Sequence, residues 1–360
     1  MPQITQIDVS AYTIPTDFPE SDGTIEWDAT TIVIVEARAG GYIGLGFTYG
    51  DIAAARLIDR KLSKVVLGAD AMATADIRMG MVRAVRNLGR PRIASHAISA
   101  VEVALWDLKA RLLEISCMDL LGRARTGIAV YGSGGFTSYS IPQLQAQLAS
   151  WAARGITMVK MKVGSQPHED LTRVRAARAA IGPGVELFVD ANGAYSRKQA
   201  LGFAEQFAAE GVKWFEEPVS SDDLAGLRLL RDRAPAGMDI AAGEYGYDST
   251  YFRRMLDAGA VDVLQADATR AGITGFLEAT ALSEAFHVRL SAHTAPSIHA
   301  HLCCALPAAV HVEYFHDHAR IEQMLFDGAL EPVNGVVCPD PCRPGLGLDF
   351  KRSDAAKYAA

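Results

Sequence analysis

The 360-residue chain is 49% apolar and 21% charged, and 42 acidic against 35 basic residues leave a net charge of −7. That composition predicts a well-buried core in one large or two smaller domains and excludes disordered and collagen-like chains, while the acidic excess argues against a nucleic-acid partner held by bulk electrostatics. No apolar run reaches the ~18 residues of a membrane span, and the opening MPQITQIDV is no signal segment, so no membrane partner is expected and the cytosol is the expected compartment.

Residues 4–14, 31–37 and 42–48 are β-rich, and Ala/Leu/Arg-rich helical stretches follow from residue 53 to about 113. Strands followed by helices indicate an α+β unit. Within it Ile98, Val101, Ala104 and Leu108 recur at helical spacing, which predicts a packed helix over 94–113. The polar, turn-rich stretch from Pro15 to Trp27 reads equally as a surface loop or as a lid over a binding site.

From residue 128 the pattern changes to eight short apolar runs separated by helical stretches: 128–131, 158–163, 186–191, 212–217, 239–244, 261–267, 288–293 and 310–315. Near-continuous apolar runs are what parallel strands buried on both faces look like, and eight of them predict an α/β fold with a (β/α)8-type barrel. Gly132-Ser133-Gly134-Gly135 lacks the spacing of a dinucleotide fingerprint and reads as a tight loop at the barrel mouth. The expected division is an α+β cap over 1–125, a barrel over 126–322 and a Gly/Pro-rich tail, 323–360, returning to the cap. Five cysteines, Cys117, Cys303, Cys304, Cys338 and Cys342, read as reduced thiols.

Charged residues fall at the ends of the apolar runs: Lys160 and Lys162, then Asp190, Glu216-Glu217, Glu244, Asp267, His293 and Glu313. The C-terminal strand ends of a closed barrel converge, so these side chains are expected to meet. Asp190, Glu216 and Glu244 together would repel one another unless a cation neutralised them, and all-oxygen ligation favours Mg²⁺ over zinc. Lys160 and Lys162, at i and i+2, share one side of their strand, and each is expected to lower the other's pKa, making one a general base. Asp267 is placed to fix the tautomer of His293 and leave its other nitrogen free for proton transfer. The pairs His299/His301 and His316/His318 are assigned no metal.

In these residues the chain resembles the enolase superfamily, mandelate racemase subgroup. The likeness covers nearly the whole chain: Val159-Lys160-Met161-Lys162 resembles the K-x-K strand, Asp190-Ala191-Asn192, Glu216-Glu217-Pro218 and Gly243-Glu244 the three ligand sites, Asp267 with Ser291-Ala292-His293 the Asp/His dyad, and Glu313 the acid on the last strand. Ile273 departs from the pattern, standing where many relatives carry a second glycine, and no lysine occurs on the sixth strand as it does in muconate-lactonizing relatives. The resemblance implies Mg²⁺-assisted removal of the α-proton of a small-molecule carboxylate, with Lys162 and His293 acting from opposite faces, Lys160 near the substrate carboxylate, and a protonated Glu313 donating to the developing enolate. It implies dehydration of an acid sugar to a 2-keto-3-deoxy acid, with racemisation or epimerisation of a 2-hydroxy acid as the alternative, a Mg²⁺-dependent hydrolase as a more remote one, and a homo-oligomeric assembly. Ser133, Asn192, Arg270, Trp27 and Tyr49 are the candidate substrate contacts.

Overall fold

The structure, a computed structural model, describes residues 2–360. The N-terminal unit is an antiparallel sheet in the order β1 (Gln6–Ser21), β2 (Glu26–Ala39), β3 (Tyr42–Tyr49). The helix Ile93–Leu112 lies on this sheet and buries Ala97, Ala100, Val101, Ala104 and Leu108 against Val33, Val35 and Ala37. Gly44 and Gly46 on β3 permit the approach, since a Cβ at Gly46 would meet the Ala100 carbonyl and one at Gly44 the backbone of Ala104.

The stretch from Pro15 to Trp27 is not an irregular loop, and its turn packs over the barrel's strand ends, where a Cβ at Gly23 would meet the carbonyls of Val163 and Ala191. β1 and β2 run on as a hairpin through it, with Glu20 opposite Trp27 beyond a bulge. Asp22 Oδ1 closes the turn by accepting from the backbone N–H of Thr24 (2.6 Å) and of Ile25 (2.9 Å). Composition signalled the turn, but the cross-strand bond from Trp27 Nε1 to Glu20 Oε2 (2.9 Å) that extends the ladder was not readable from it.

The second unit is a closed parallel barrel of β4 (Ile128–Gly134), β5 (Met158–Lys162), β6 (Glu186–Asp190), β7 (Val212–Glu216), β8 (Asp239–Ala242), β9 (Val263–Ala266), β10 (Arg289–Ala292) and β11 (Ala309–Phe315), with β11 pairing back onto β4. A helix follows each strand. All eight apolar runs are barrel strands. Gly132 and Gly134, expected in a loop, lie inside β4: their missing side chains make room for Trp151 and Gln147 of the next helix, so this glycine run serves helix–strand packing. Alternation along each strand builds two layers inside the barrel. Tyr131, Phe188, Trp214 and Val263 form an apolar floor, and Ser133, Asp190 and Glu216 stand two residues further along β4, β6 and β7.

The tail laces the two units together. Val336–Val337 pairs with β4, the Cys117 N–H donates to the Gly345 carbonyl (2.7 Å), and the Ala360 N–H donates to the Ala11 carbonyl (3.0 Å). The buried carboxylate of Asp107 accepts from the N–H groups of Leu45 (2.7 Å) and Leu346 (2.6 Å) and from Arg111 (2.7 Å), so one cap side chain ties β3 to the tail. Among the described residues no helix is long and apolar enough to cross a membrane.

Candidate active site

The C-terminal ends of β5 to β11 bring the strand-end charges into one buried cluster. Lys162 stands beside Asp190 and Asp190 beside Glu216 in the parallel register. Lys160 Nζ donates to Glu216 Oε1 (2.7 Å) and Oε2 (2.8 Å) and lies 2.7 Å from Glu313 Oε1. Lys162 Nζ donates to Asp190 Oδ2 (2.5 Å) and Asn192 Oδ1 (3.2 Å). On the far side, the ring of His293 meets Asp267 Oδ2 through Nδ1 (2.9 Å), and Nε2 lies 3.3 Å from Glu244 Oε2 and 3.8 Å from Glu313 Oε2. Between β5 and β10 the wall holds four strands in one direction and β11 and β4 in the other, so Lys162 and His293 enter from separate sides.

Asp190, Glu216 and Glu244 each offer an oxygen within 4.8 Å of the others, and all three are buried. Three carboxylates so close in a low-dielectric interior repel strongly, and a hard all-oxygen donor set of this kind fits a divalent cation such as Mg²⁺. The chain's own cations compensate only in part. Burial and the Asp190 charge push the Glu216 carboxyl up, whereas Lys162 and Lys160 overcome burial and hold Asp190 below the usual carboxylate range.

Two electrostatic expectations are corrected. Burial and mutual repulsion do act to lower the lysines, but the facing carboxylates outweigh them: Glu216 and Glu313 hold Lys160 up, and Asp190 holds Lys162 up, so both are ammonium ions in this arrangement. Glu313 is an acceptor, not a protonated donor. Burial would raise it, but Lys160, His293 and Lys162 drive it down, and it accepts from Ser133 Oγ (2.6 Å) and the Thr294 N–H (3.1 Å). For His293, burial favours the neutral ring, but Glu244, Asp267 and Glu313 prevail and raise its pKa above the usual imidazole value.

Asp267 is positioned by its neighbours. Its Oδ1 accepts from the Thr269 N–H (2.7 Å), starting the helix Ala268–Ala285, and Arg270 Nε lies 3.5 Å from Oδ2. Arg270 also donates to the Glu244 carbonyl (3.1 Å) and Oε1 (3.3 Å), so it braces both the dyad and a cation-site carboxylate. The departure at Ile273 leaves this intact: Ile273 is fully buried, and the turn is made by Gly272 at φ +77° against Glu102 of the cap helix.

Ser133, Asn192 and Arg270 therefore lie within the cluster. Trp27 and Tyr49 do not reach it by any hydrogen bond: Trp27 is tied to Glu20 and packs edge-on to Phe136 (5.6 Å), and Tyr49 stacks on His318 with ring centroids 3.4 Å apart. The sequence placed Glu217 among the strand-end charges without a role of its own; it follows β7 in a left-handed conformation (φ +36°), is buried, and leaves Oε1 with no hydrogen-bond partner among the described residues. A doubled acid at a strand end was the available signal. Glu217, Asn192 and Tyr245 open onto a cleft of about 530 Å³ between the cap and the barrel.

Residues 143–355 match the family described as enolase C-terminal domain-like, and residues 11–122 the mandelate racemase / muconate lactonizing enzyme N-terminal domain. The chain belongs to the mandelate racemase branch of the enolase superfamily. It is 32% identical over 348 residues to 3,6-anhydro-alpha-L-galactonate cycloisomerase of Streptomyces coelicolor, with 94% of each chain covered. Its fold superposes with TM-score 0.98 and 55% identity, over the whole of both chains, on the crystal structure of a mandelate racemase/muconate lactonizing enzyme-like protein from Rubrobacter xylanophilus. With TM-score 0.89 and 31% identity it matches L-talarate dehydratase from Polaromonas sp. JS666 complexed with Mg and L-glucarate, covering 100% of this chain and 98% of that one. Members of this branch thus include both dehydratases and cycloisomerases.

Proposed function

We propose that this chain removes the α-proton of a polyhydroxylated carboxylate and then expels the β-hydroxyl, dehydrating an acid sugar to a 2-keto-3-deoxy acid. The observation that carries the reading is the buried triad of Asp190, Glu216 and Glu244, flanked by Lys162 on one side and the His293–Asp267 dyad on the other. The triad would hold Mg²⁺, as the magnesium complex of the talarate dehydratase relative supports. Bound there, the ion supplies positive charge against the second negative charge that develops on the substrate carboxylate as the α-proton leaves.

Lys162 takes the α-proton. Its ammonium state rests on Asp190, and a cation held by that carboxylate would weaken the pairing and favour the neutral amine. Lys160 stays charged between Glu216 and Glu313 and holds the substrate carboxylate. His293 enters as the imidazolium and protonates the departing β-hydroxyl, while Asp267 fixes Nδ1–H and leaves Nε2–H for transfer. Glu313 acts by anchoring: it aligns Lys160, Ser133 and the Thr294 backbone.

Cycloisomerisation, or reprotonation with inversion, is the second reading, favoured by the cycloisomerase relative at 32% identity. Both begin with the same proton abstraction and diverge at the second step. The test is NMR in D₂O with Mg²⁺ against a panel of sugar acids, their lactones and simple 2-hydroxy acids. Dehydration yields a 2-keto-3-deoxy product carrying solvent deuterium; inversion or ring opening without loss of water selects the second reading. Turnover of esters with no deuterium at Cα would replace both with metal-dependent hydrolysis.

A further inference from the structure

The cleft beside the cation-site carboxylates has a cationic outer end that the chemistry above leaves unused. Its volume of about 530 Å³ is that of a small-molecule site. Asn192, Glu217 and Tyr245 form its inner wall, next to the ends of β6, β7 and β8, while Arg92 of the cap and Arg254 of the helix Ser249–Asp257 line its outer part. The neighbouring arginines are occupied: Arg90 pairs with Asp248 at 3.1 Å and Arg253 with Asp257 at 3.1 Å. Among the described residues neither the Arg92 nor the Arg254 guanidinium has an ion pair or a hydrogen bond, although both share one cavity.

Asp222 shares the lining of this cleft, and Arg92, like Arg254, is solvent-exposed. The Arg92 backbone is left-handed (φ +62°), a conformation that a residue with a Cβ adopts at a cost, and its guanidinium carbon lies 5.8 Å from the centre of the Tyr245 ring. Arg270 sits 4.9 Å from the same ring, so Tyr245 links the cation that braces the dyad to the cation at the cleft's outer end. At the inner wall, the unpartnered and buried Oε1 of Glu217 needs a hydrogen bond that no described residue supplies. A guanidinium meets a carboxylate or phosphate with two parallel N–H bonds, and a buried carboxyl oxygen meets a hydroxyl.

We infer that this cleft seats the far end of the substrate, Arg92 and Arg254 pairing with a second anionic group and Glu217 with a chain hydroxyl, so that the preferred acid sugar carries a terminal oxyanion at both ends. The inference rests on the α-proton chemistry proposed above and names the substrate class for it. Carboxylate and phosphate share the chemistry that two guanidinium groups recognise, and the probes separate them.

The experiment compares kcat/KM with saturating Mg²⁺ for matched acids that differ only at C6: hexarates, hexonates and 6-phosphohexonates of the same configuration, such as galactarate, D-galactonate and its 6-phosphate. Dissociation constants for the same acids are measured calorimetrically on Lys162→Ala. The doubly anionic acid is expected to be favoured over the hexonate by about 100-fold in both readouts, with each of Arg92→Gln and Arg254→Gln removing roughly tenfold of that ratio. Arg254→Lys should restore part of it. Preference for the hexarate identifies a carboxylate, and preference for the phosphate ester a phosphate. An unchanged ratio in the double variant, or a parallel fall for singly and doubly anionic acids, overturns the inference. Loss of α-proton exchange with every acid by the wild-type protein would instead overturn the proposed chemistry while leaving the binding ratio readable.

Discussion

Replacing Asp267 by Asn changes one atom in the dyad and nothing in its shape. Asp267 accepts two bonds, Oδ2 from His293 Nδ1–H at 2.9 Å and Oδ1 from the Thr269 N–H at 2.7 Å. An asparagine can satisfy only one of them. If its oxygen keeps Thr269, its amide opposes Nδ1–H and the imidazole must switch tautomer; if its oxygen keeps His293, the Thr269 N–H at the helix start loses its acceptor. Either way a buried donor is stranded, which costs about 1–3 kcal/mol of stability, and the imidazolium loses a charge-assisted bond of similar size. The lost bond alone predicts a 10- to 100-fold fall in kcat, and a wrong tautomer extends it towards ~10⁴. The assay is keto-acid formation alongside α-deuterium incorporation. Dehydration should fall by ~10²–10⁴ while exchange initiated at Lys162 persists within about tenfold. A kcat within threefold of wild type would refute the role given to the dyad.

Metal removal, buried-acid titration and the Gly272 turn give three further tests. Stripping the protein with a chelator and titrating Mg²⁺ back should raise the melting temperature by a few degrees, since a ligand at 100 times its Kd contributes about 2.7 kcal/mol; Glu216→Gln should abolish the shift, and an equal shift in that variant would place the ion elsewhere. Glu20 is pushed from 4.5 up to about 8 by burial and by Asp317. The folded state therefore keeps a proton that the unfolded chain releases between these values, and stability falls as pH rises through that window, by at most ~5 kcal/mol at 1.36 kcal/mol per pH decade. Glu20→Gln should flatten the difference in melting temperature between pH 5 and pH 9; an unflattened curve contradicts the assignment. Gly272→Ala would place a Cβ against the Glu102 carboxylate at a positive φ, so a loss of ~2 kcal/mol or more in calorimetric stability is expected, and an unchanged melting temperature would show that the turn relaxes.

The barrel was legible because strands buried on both faces leave continuous apolar runs, and the cluster was legible because the strand ends of a closed barrel converge. What the sequence concealed were pairings made across the fold. Glu20 meets Trp27 only once the hairpin has formed, and Gly132 and Gly134 read as loop because Trp151, which needs their space, arrives on the next helix. The opposite charges that face Lys162 and Glu313 were hidden for the same reason. Like-charged neighbours on one strand are visible in the sequence, whereas Asp190 against Lys162 and Lys160 against Glu313 are contacts between strands. Arg92 lies in a cap helix start with no motif around it, and only cap–barrel docking brings it over Tyr245.

In the proposed chemistry Lys162 and His293 act on one carbon acid from two sides of a Mg²⁺-binding triad. Its most direct measurement is α-proton exchange in D₂O by NMR on a turned-over sugar acid, with wild type, Lys162→Ala and His293→Asn, each with Mg²⁺ and with a chelator. Mg²⁺-dependent exchange is expected in wild type, none in Lys162→Ala, and exchange without loss of hydroxyl in His293→Asn. Full dehydration by both variants, or exchange that survives the chelator, would contradict that chemistry.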